Sequence, residues 1–526
     1  MLSRSRFAMS AVAASLMLLS ACGAPPDKAK SNDASLPSSI ALEKDVDPNA
    51  EFSFGYTYPN SSLDPVKSAS GQDQTYMYPI YDRLLYLTED GKFEPMLATS
   101  WEESADKTAL TLKLRDNLKF SDGVAFNAEA VKVNLDRAKG AGSKIAQEIA
   151  TLTDVQVVDD LTVKLTVSSG LGALLTSLAA RPGMIASPKA IAEGTMESAP
   201  AGIGPYVATD IVPGASISYK KSEGYWDPDA QKVATMAIKS MPEDQTRLNA
   251  LKSGELSGIQ VSPDQRSSAE STGATLISRP SYLVYFLAVN TSVAPFDDPS
   301  VRLAMNYLID RKAIGDGLLG GSCTPQIQPW PESSVGYDKK IGDGLDVWPH
   351  DVKKAKDLLK KAGLTKGSKF KVVTTNLTTT VKILEVLQEQ FKEAGLDIEA
   401  QPVPAGGITE HFAITKQTPV TLSAYTGSPD PAAVIDRNLL PESQYNPGGA
   451  TSQNLIDTAV EGASATDPAT RTATYSKFMD LFIKEPTSLM PICAAHSVMA
   501  LADGVSNVTM PADAAYQFRG VAVKKK

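Results

Sequence analysis

Lys369-Phe370-Lys371-Val372-Val373-Thr374 leads into a run in which Val381, Leu384, Leu387 and Phe391 recur at helical spacing, then Gly395, then the alternating segment Leu396-Asp397-Ile398-Glu399-Ala400-Gln401-Pro402-Val403. Period two puts alternate side chains on one face of a strand, and period 3.6 puts a stripe along one face of a helix. The stretch therefore reads as strand, helix closed by glycine, strand. With connections this short, that is the α/β unit.

The same reading extends outward. Val352, Ala355, Leu358, Leu359 and Ala362 make a helical stripe stopped by Gly363. Asp298 is placed to cap a helix with Pro299 at its first position, and Val301, Ala304, Met305, Leu308 and Ile309 form the buried stripe. Residues 282–290 are a short apolar run rich in Tyr, Val and Phe, which favours a strand. Nearer the N-terminus, Phe52, Phe54, Tyr56 and Tyr58 alternate as in a strand, and Met77, Ile80, Tyr81 and Leu84 give 74–87 helical spacing. Leu110, Leu112 and Leu114 mark a half-buried strand, Asn127 an N-cap, and 155–167 a hairpin turning at Asp159-Asp160. Residues 472–483 read as a helix and 489–492 as a short strand. At 526 residues the chain is several times the usual size of one domain, so two or three lobes are expected.

The N-terminal segment does not belong to this pattern. Arg4 and Arg6 precede an uncharged apolar stretch too short to span a bilayer as a mature helix, and the stretch ends Leu19-Ser20-Ala21-Cys22. These four residues resemble the bacterial lipobox. That implies a signal peptide over 1–21, lipid (palmitate) on Cys22, and a chain held on the outer, extracytoplasmic face of the cell membrane. Residues 22–50, rich in Pro, Ser, Asp, Asn and Lys, read as a flexible tether.

The formal charge of −9 becomes −11 once Arg4 and Arg6 are removed, which disfavours nucleic acid as a partner. Lys524-Lys525-Lys526 reads as a solvated tail. The three histidines, His350, His411 and His496, form no cluster, and the chain carries no Gly-x-Ser-x-Gly elbow, His-Glu-x-x-His motif or P-loop. Neither an enzyme nor a resident metal or cofactor is expected. Cys323 and Cys493 either form a disulfide, which an extracytoplasmic compartment would preserve, or are two separate buried thiols.

Several segments together resemble the dipeptide/oligopeptide/nickel class of extracytoplasmic solute-binding proteins, family 5 of bacterial ABC importers. They are Leu63-Asp64-Pro65, Tyr81-Asp82-Arg83-Leu84-Leu85, Pro95-Met96-Leu97-Ala98-Thr99-Ser100-Trp101, and the stretch from Leu114-Arg115 to Phe120-Ser121-Asp122-Gly123. Phe126 to Leu135, Gly202-Ile203-Gly204-Pro205-Tyr206, Glu223-Gly224-Tyr225-Trp226 and Pro295-Phe296-Asp297-Asp298-Pro299-Ser300-Val301-Arg302 follow in the family's order. The resemblance implies a two-lobe periplasmic-binding-protein-like α/β fold (class II type, cluster C). Lobe 1 would comprise 51–285 plus 486–520, with an extra domain inserted at about 68–195, and lobe 2 would comprise 286–485. It also implies a monomer that traps a small ligand, a peptide above all, between the lobes and passes it to a membrane permease powered by a separate ATPase.

In peptide-binding members an Asp shortly after an aromatic-Thr-Gly segment takes the ligand's amino terminus. The matching stretch here is Tyr425-Thr426-Gly427-Ser428-Pro429-Asp430, with Ser428 where that Asp would stand. Asp430 is either a replacement anchor or part of an Asp-Pro turn. Tyr58, Tyr285, Tyr425, Thr426, Gly427, Ser428 and Asp430 are the candidate ligand residues. Pro491-Ile492-Cys493-Ala494-Ala495 departs from the family's aromatic pattern. A lipoprotein of the same fold that serves as scavenger or sensor of a non-peptide ligand, such as haem, a metal chelate or a sugar, is the alternative.

Overall fold

Two long antiparallel strands, Thr275–Val289 and Leu489–Leu501, run side by side from the pair Thr275 and Leu501 to the pair Ala288 and Leu489. The computed structural model describes residues 36–88, 92–168, 170–364, 368–404, 407–425, 430–441, 443–511 and 515–525. The leader, Cys22, and Thr426, Gly427 and Ser428 lie outside them, as does the side chain of Tyr425.

One sheet is built around the long pair. Its order is 396–403, 368–375, 420–425, 275–289, 489–501, 258–261, 51–56, 235–240, 216–221 and 206–212, with 323–325 on the free edge of 489–501. On one side of the long pair, 368–375 is parallel to both 396–403 and 420–425. On the other, 51–56 is parallel to both 235–240 and 258–261. Of 489–501 only His496 escapes full burial, so its sequence has no alternation to betray its length. The expected short strand at 489–492 is thus the start of a thirteen-residue one.

The apolar residues separate into distinct cores. Val284 to Ile435, Tyr475, Phe478 and Leu489 to Ala495 supply the core of one lobe. Phe52, Phe54, Tyr56, Met236, Ile277, Met499, Tyr516 and Phe518 supply the other, with a satellite from Leu248, Leu251, Ile259, Leu276 and Val498. The two long strands contribute to both lobes. A further core, from Val66 to Ile203, lies under the antiparallel sheet 98–103, 109–114, 162–167 and 152–159 and helix Ala128–Lys139. Asn127 caps that helix by accepting from the Ala130 amide.

The motif residues hold this frame together. Asp64 pairs with Arg137 and caps its own turn at the Val66 amide. Asp82 accepts from Trp226 Nε1 and Tyr225 Oη, both at 2.7 Å. A Cβ on Gly202 or Gly204 would fall 2.1 or 2.3 Å from the Ile80 peptide, so only glycine allows that segment to lie against the chain at 80. Asp298 caps Pro299–Leu308 as expected from its sequence. Cys323 and Cys493 are joined as a disulfide, with Cα atoms 5.5 Å apart, where 323–325 pairs with 493–495.

Two sequence expectations require correction. The helix expected over 74–87 is only Gln74–Met77, followed by strand Leu85–Leu87. Pro79 cannot donate to a continuing helical ladder. Met77, Ile80, Tyr81 and Leu84 are buried because this segment passes between two cores, not because they share a helix face. The tether expected over 22–50 does not extend through 36–50. There Ser39–Ile40 pairs with Val508–Thr509, Val46 bridges to Lys524, and amides of Met510 and Lys525 donate to Ser38 and Asp45. Backbone pairing needs no apolar side chains, so composition did not reveal it. The lysine tail is accordingly held by its main chain at 524–525 while the Lys524 side chain stays exposed beside Glu43.

Candidate ligand site between the lobes

Parallel strands present their carboxyl ends to one side, and ligands of open α/β sheets bind there. In lobe 1, strand 51–56 leads to Tyr58, and strand Gly258–Val261 leads to the turn Pro263–Gln265 carrying Asp264. In lobe 2, strand Ser368–Thr375 leads to helix Thr378–Glu393 carrying Lys382, and strand Val420–Tyr425 precedes Asp430, the cap of helix Pro431–Asn438. The two sets of strand ends face each other, because Lys382 Nζ donates to Asp264 Oδ2 at 2.9 Å.

Tyr58 packs edge-on against Tyr56 and accepts the Tyr76 hydroxyl on its carbonyl at 2.7 Å. The Thr57 amide donates to Gln260 Oε1, which ties the two strand ends of lobe 1 together. Arg247, 1% exposed, donates to the carbonyls of Gln260 and Pro242 and pairs with Asp244. Tyr285 stands on the long strand opposite Cys493 and Ala424, beside a break in register. Burial, then the neighbouring Tyr58 and Asp264, hold the Tyr285 phenol well above its ordinary pKa. Burial does the same for Tyr58 and, with Tyr58 beside it, for Tyr516. All three are neutral hydroxyls at physiological pH. Tyr285, on the strand shared by both lobes, is thus near enough to Tyr58 and Asp264 to feel both electrostatically, and Lys382 reaches Asp264 from lobe 2.

Asp430 lies elsewhere. Its side chain is 3% exposed, caps helix Pro431–Asn438 at the Ala432 amide and forms an ion pair with Arg471 at 2.6 Å. Thr176, on helix Leu171–Leu178, lies 3.3 Å from its second oxygen. A ligand ammonium at Asp430 would compete with a buried guanidinium. Beside it, helix Leu171–Leu178 abuts the end of helix Gln453–Ser464 so closely that a Cβ on Gly172 would come within 2.4 Å of the Ala465 carbonyl.

Sequence reasoning missed Asp264 and Lys382. Their signal is positional: each follows a parallel strand at its carboxyl end, which cannot be seen until the strands are paired. Among the described residues, no group of three or more His, Cys, Asp or Glu side chains could hold a metal ion.

The sequence matches the family model of bacterial extracellular solute-binding proteins, family 5, over residues 92–446, more than half its length. The chain belongs to that family. The glutathione-binding protein GsiB of Pectobacterium atrosepticum is 29% identical over 448 residues, covering 82% of this chain and 86% of that one. The GsiB of Escherichia coli K12 is 27% identical over 457 residues, covering 83% and 88%. Among solved structures, the Helicobacter pylori periplasmic binding protein DppA in complex with the peptide STSA has a TM-score of 0.79 at 23% identity, covering 91% of this chain and 98% of that one. AgaA of A. tumefaciens R10 in complex with agropinic acid also has a TM-score of 0.79, at 24% identity and covering 91% and 99%. The two-lobe fold of family 5 is therefore the fold of this chain, a substrate-binding protein of an ABC importer.

Two expectations follow from the site. Replacing Asp430 with Asn leaves the Arg471 guanidinium buried without a counter-charge, which costs roughly 3–5 kcal/mol. Urea unfolding of Asp430→Asn should show a loss of that order, and an unchanged midpoint would contradict the pairing. His496, bonded to Thr324 at 2.8 Å, has its pKa pushed down to about 4 by burial and then by Arg266. The folded state thus prefers the neutral ring. That preference stabilises above the ordinary value of about 6.5 and is lost as pH falls from there through about 4. Melting temperature followed over this range should fall less steeply for His496→Gln than for the wild type.

Proposed function

We propose that this chain captures a short peptide, or a peptide-like molecule with a free amino group, between its lobes and delivers it to a membrane permease driven by a separate ATPase. The observation that carries this reading is the facing pair of strand ends, where Asp264 of one lobe meets Lys382 of the other, with Tyr58 at the end of a neighbouring strand and Tyr285 on the strand shared by both lobes. Aromatic faces and a few charges suit a ligand whose backbone and termini are constant while its side chains vary. Relatives named as glutathione-binding and a structural neighbour holding a tetrapeptide point the same way. The reading is of a receptor without catalysis.

Mass spectrometry of material carried through native purification should find peptides or glutathione-like thiols. Adding the recovered compound at about a hundred times its Kd should raise unfolding stability by about 2.7 kcal/mol. A reproducible haem, metal chelate or sugar in its place would displace the peptide reading.

We further propose that Cys22 carries the lipid that keeps the protein at the outer face of the membrane. Among the described residues no helix is long and apolar enough to cross a membrane. Cys22→Ala should move the protein from the membrane fraction to the soluble one, and its retention at the membrane would count against the anchor.

A further inference from the structure

Among the described residues, Asp264 stands apart from the other buried, paired carboxylates. Its side chain is 8% exposed, yet only Oδ2 is engaged, by Lys382 at 2.9 Å and by Gln265 at 3.4 Å. Oδ1 is buried, and no donor among the described residues lies within hydrogen-bond reach of it. Asp64, Asp82 and Asp430, by contrast, have donors on both oxygens. A buried carboxylate oxygen without a donor forfeits its hydration and gains nothing in return, so native structures leave such atoms where something else will bind.

The surroundings say what that partner is. Tyr285 lies near enough to both Asp264 and Tyr58 for each to raise its phenol's pKa, so a neutral hydroxyl and its ring stand near the carboxylate, and among the described residues no hydrogen bond engages Oδ1. An ammonium group suits such a place: it donates to carboxylate and phenol oxygens and is attracted to ring faces. The turn bearing Asp264 belongs to lobe 1 and Lys382 to lobe 2, so a single carboxylate touches both bodies.

We propose that Asp264 is the anchor for the ligand's ammonium group, with Oδ1 accepting from the ligand while Oδ2 remains on Lys382 and ties the far lobe to it. This rests on the peptide reading above and goes further, by assigning the amino-terminal subsite to the lobe 1 turn instead of the 425–430 loop. The two oxygens divide two tasks. A ligand ammonium completes the carboxylate's hydrogen bonding, and the same carboxylate holds Lys382, so capture and closure share one residue. Ligands without a cationic amine leave Oδ1 unsatisfied and are disfavoured.

The test uses the purified protein with four probes: trialanine, reduced glutathione, and the N-acetylated form of each. Calorimetric titration of the wild type should favour each free amine over its acetylated form. Asp264→Asn should lower affinity for the free amines by about 30-fold or more while changing the acetylated forms little. Asp264→Glu, which keeps the charge one methylene further out, should fall between and serves if the asparagine variant folds poorly. Lys382→Met should weaken all probes yet keep the preference for the free amine. Equal affinity of wild type and Asp264→Asn for the free amines overturns the anchor and leaves the receptor reading standing. Failure of the wild type to bind any probe overturns the peptide reading and the anchor with it.

Discussion

The hydrogen-bond ladder between Thr275–Val289 and Leu489–Leu501 is the constraint on which the rest depends. Each strand has one end buried in one core and the other end in the second. Main-chain groups this deep must be paired, so neither strand can leave the ladder without exposing donors and acceptors to an apolar surround. The lobes are thereby joined by two continuous strands, whose register breaks between Pro280 and Val284 and again between Tyr285 and Phe286. Tyr285 sits at the second break, and the disulfide at Cys493 fastens 323–325 to strand 489–501. The ligand gap inherits its position from the ladder.

Charge is used in two ways around this frame. Several buried ions are tied into the frame: Arg311 donates to Pro491 and Asn306, Arg302 to Phe296, Asp297 and Pro486, and Arg519 to Asp82 and Asp227. Burial pulls the pKa of Arg302 below its ordinary value, and carbonyls there take the place of water. These arrangements fix the geometry of the scaffold. At the strand ends the balance differs, since phenols and a half-committed carboxylate meet across the lobes.

The family motifs and the candidate site therefore occupy different parts of the molecule. The segments at 63–65, 81–85, 202–206 and 295–302 identify the family because turns, caps and close backbone approaches tolerate few residues. What a member binds is set by loops that those segments merely aim. DppA with a peptide and AgaA with agropinic acid share the fold at similar TM-scores. Such divergence is expected where a rigid scaffold carries variable strand-end loops.

Sequence by itself determined the α/β class, the helices at 299–308, 352–361 and 378–393, and the strand-helix-strand order, because period and capping are local and act within a few residues. It also offered seven candidate ligand residues, of which Tyr58 and Tyr285 lie at or near the strand ends proposed as the site. Only the tertiary structure decided that 489–501 is one long shared strand, that 36–50 is laid along the C-terminal segment, and that Asp430 is committed to Arg471. The same holds for the meeting of Asp264 with Lys382, 118 residues later. These facts depend on which main-chain groups pair and which charges meet across long separations. No local period encodes such encounters; folding makes them by bringing the ends of distant strands to a common gap.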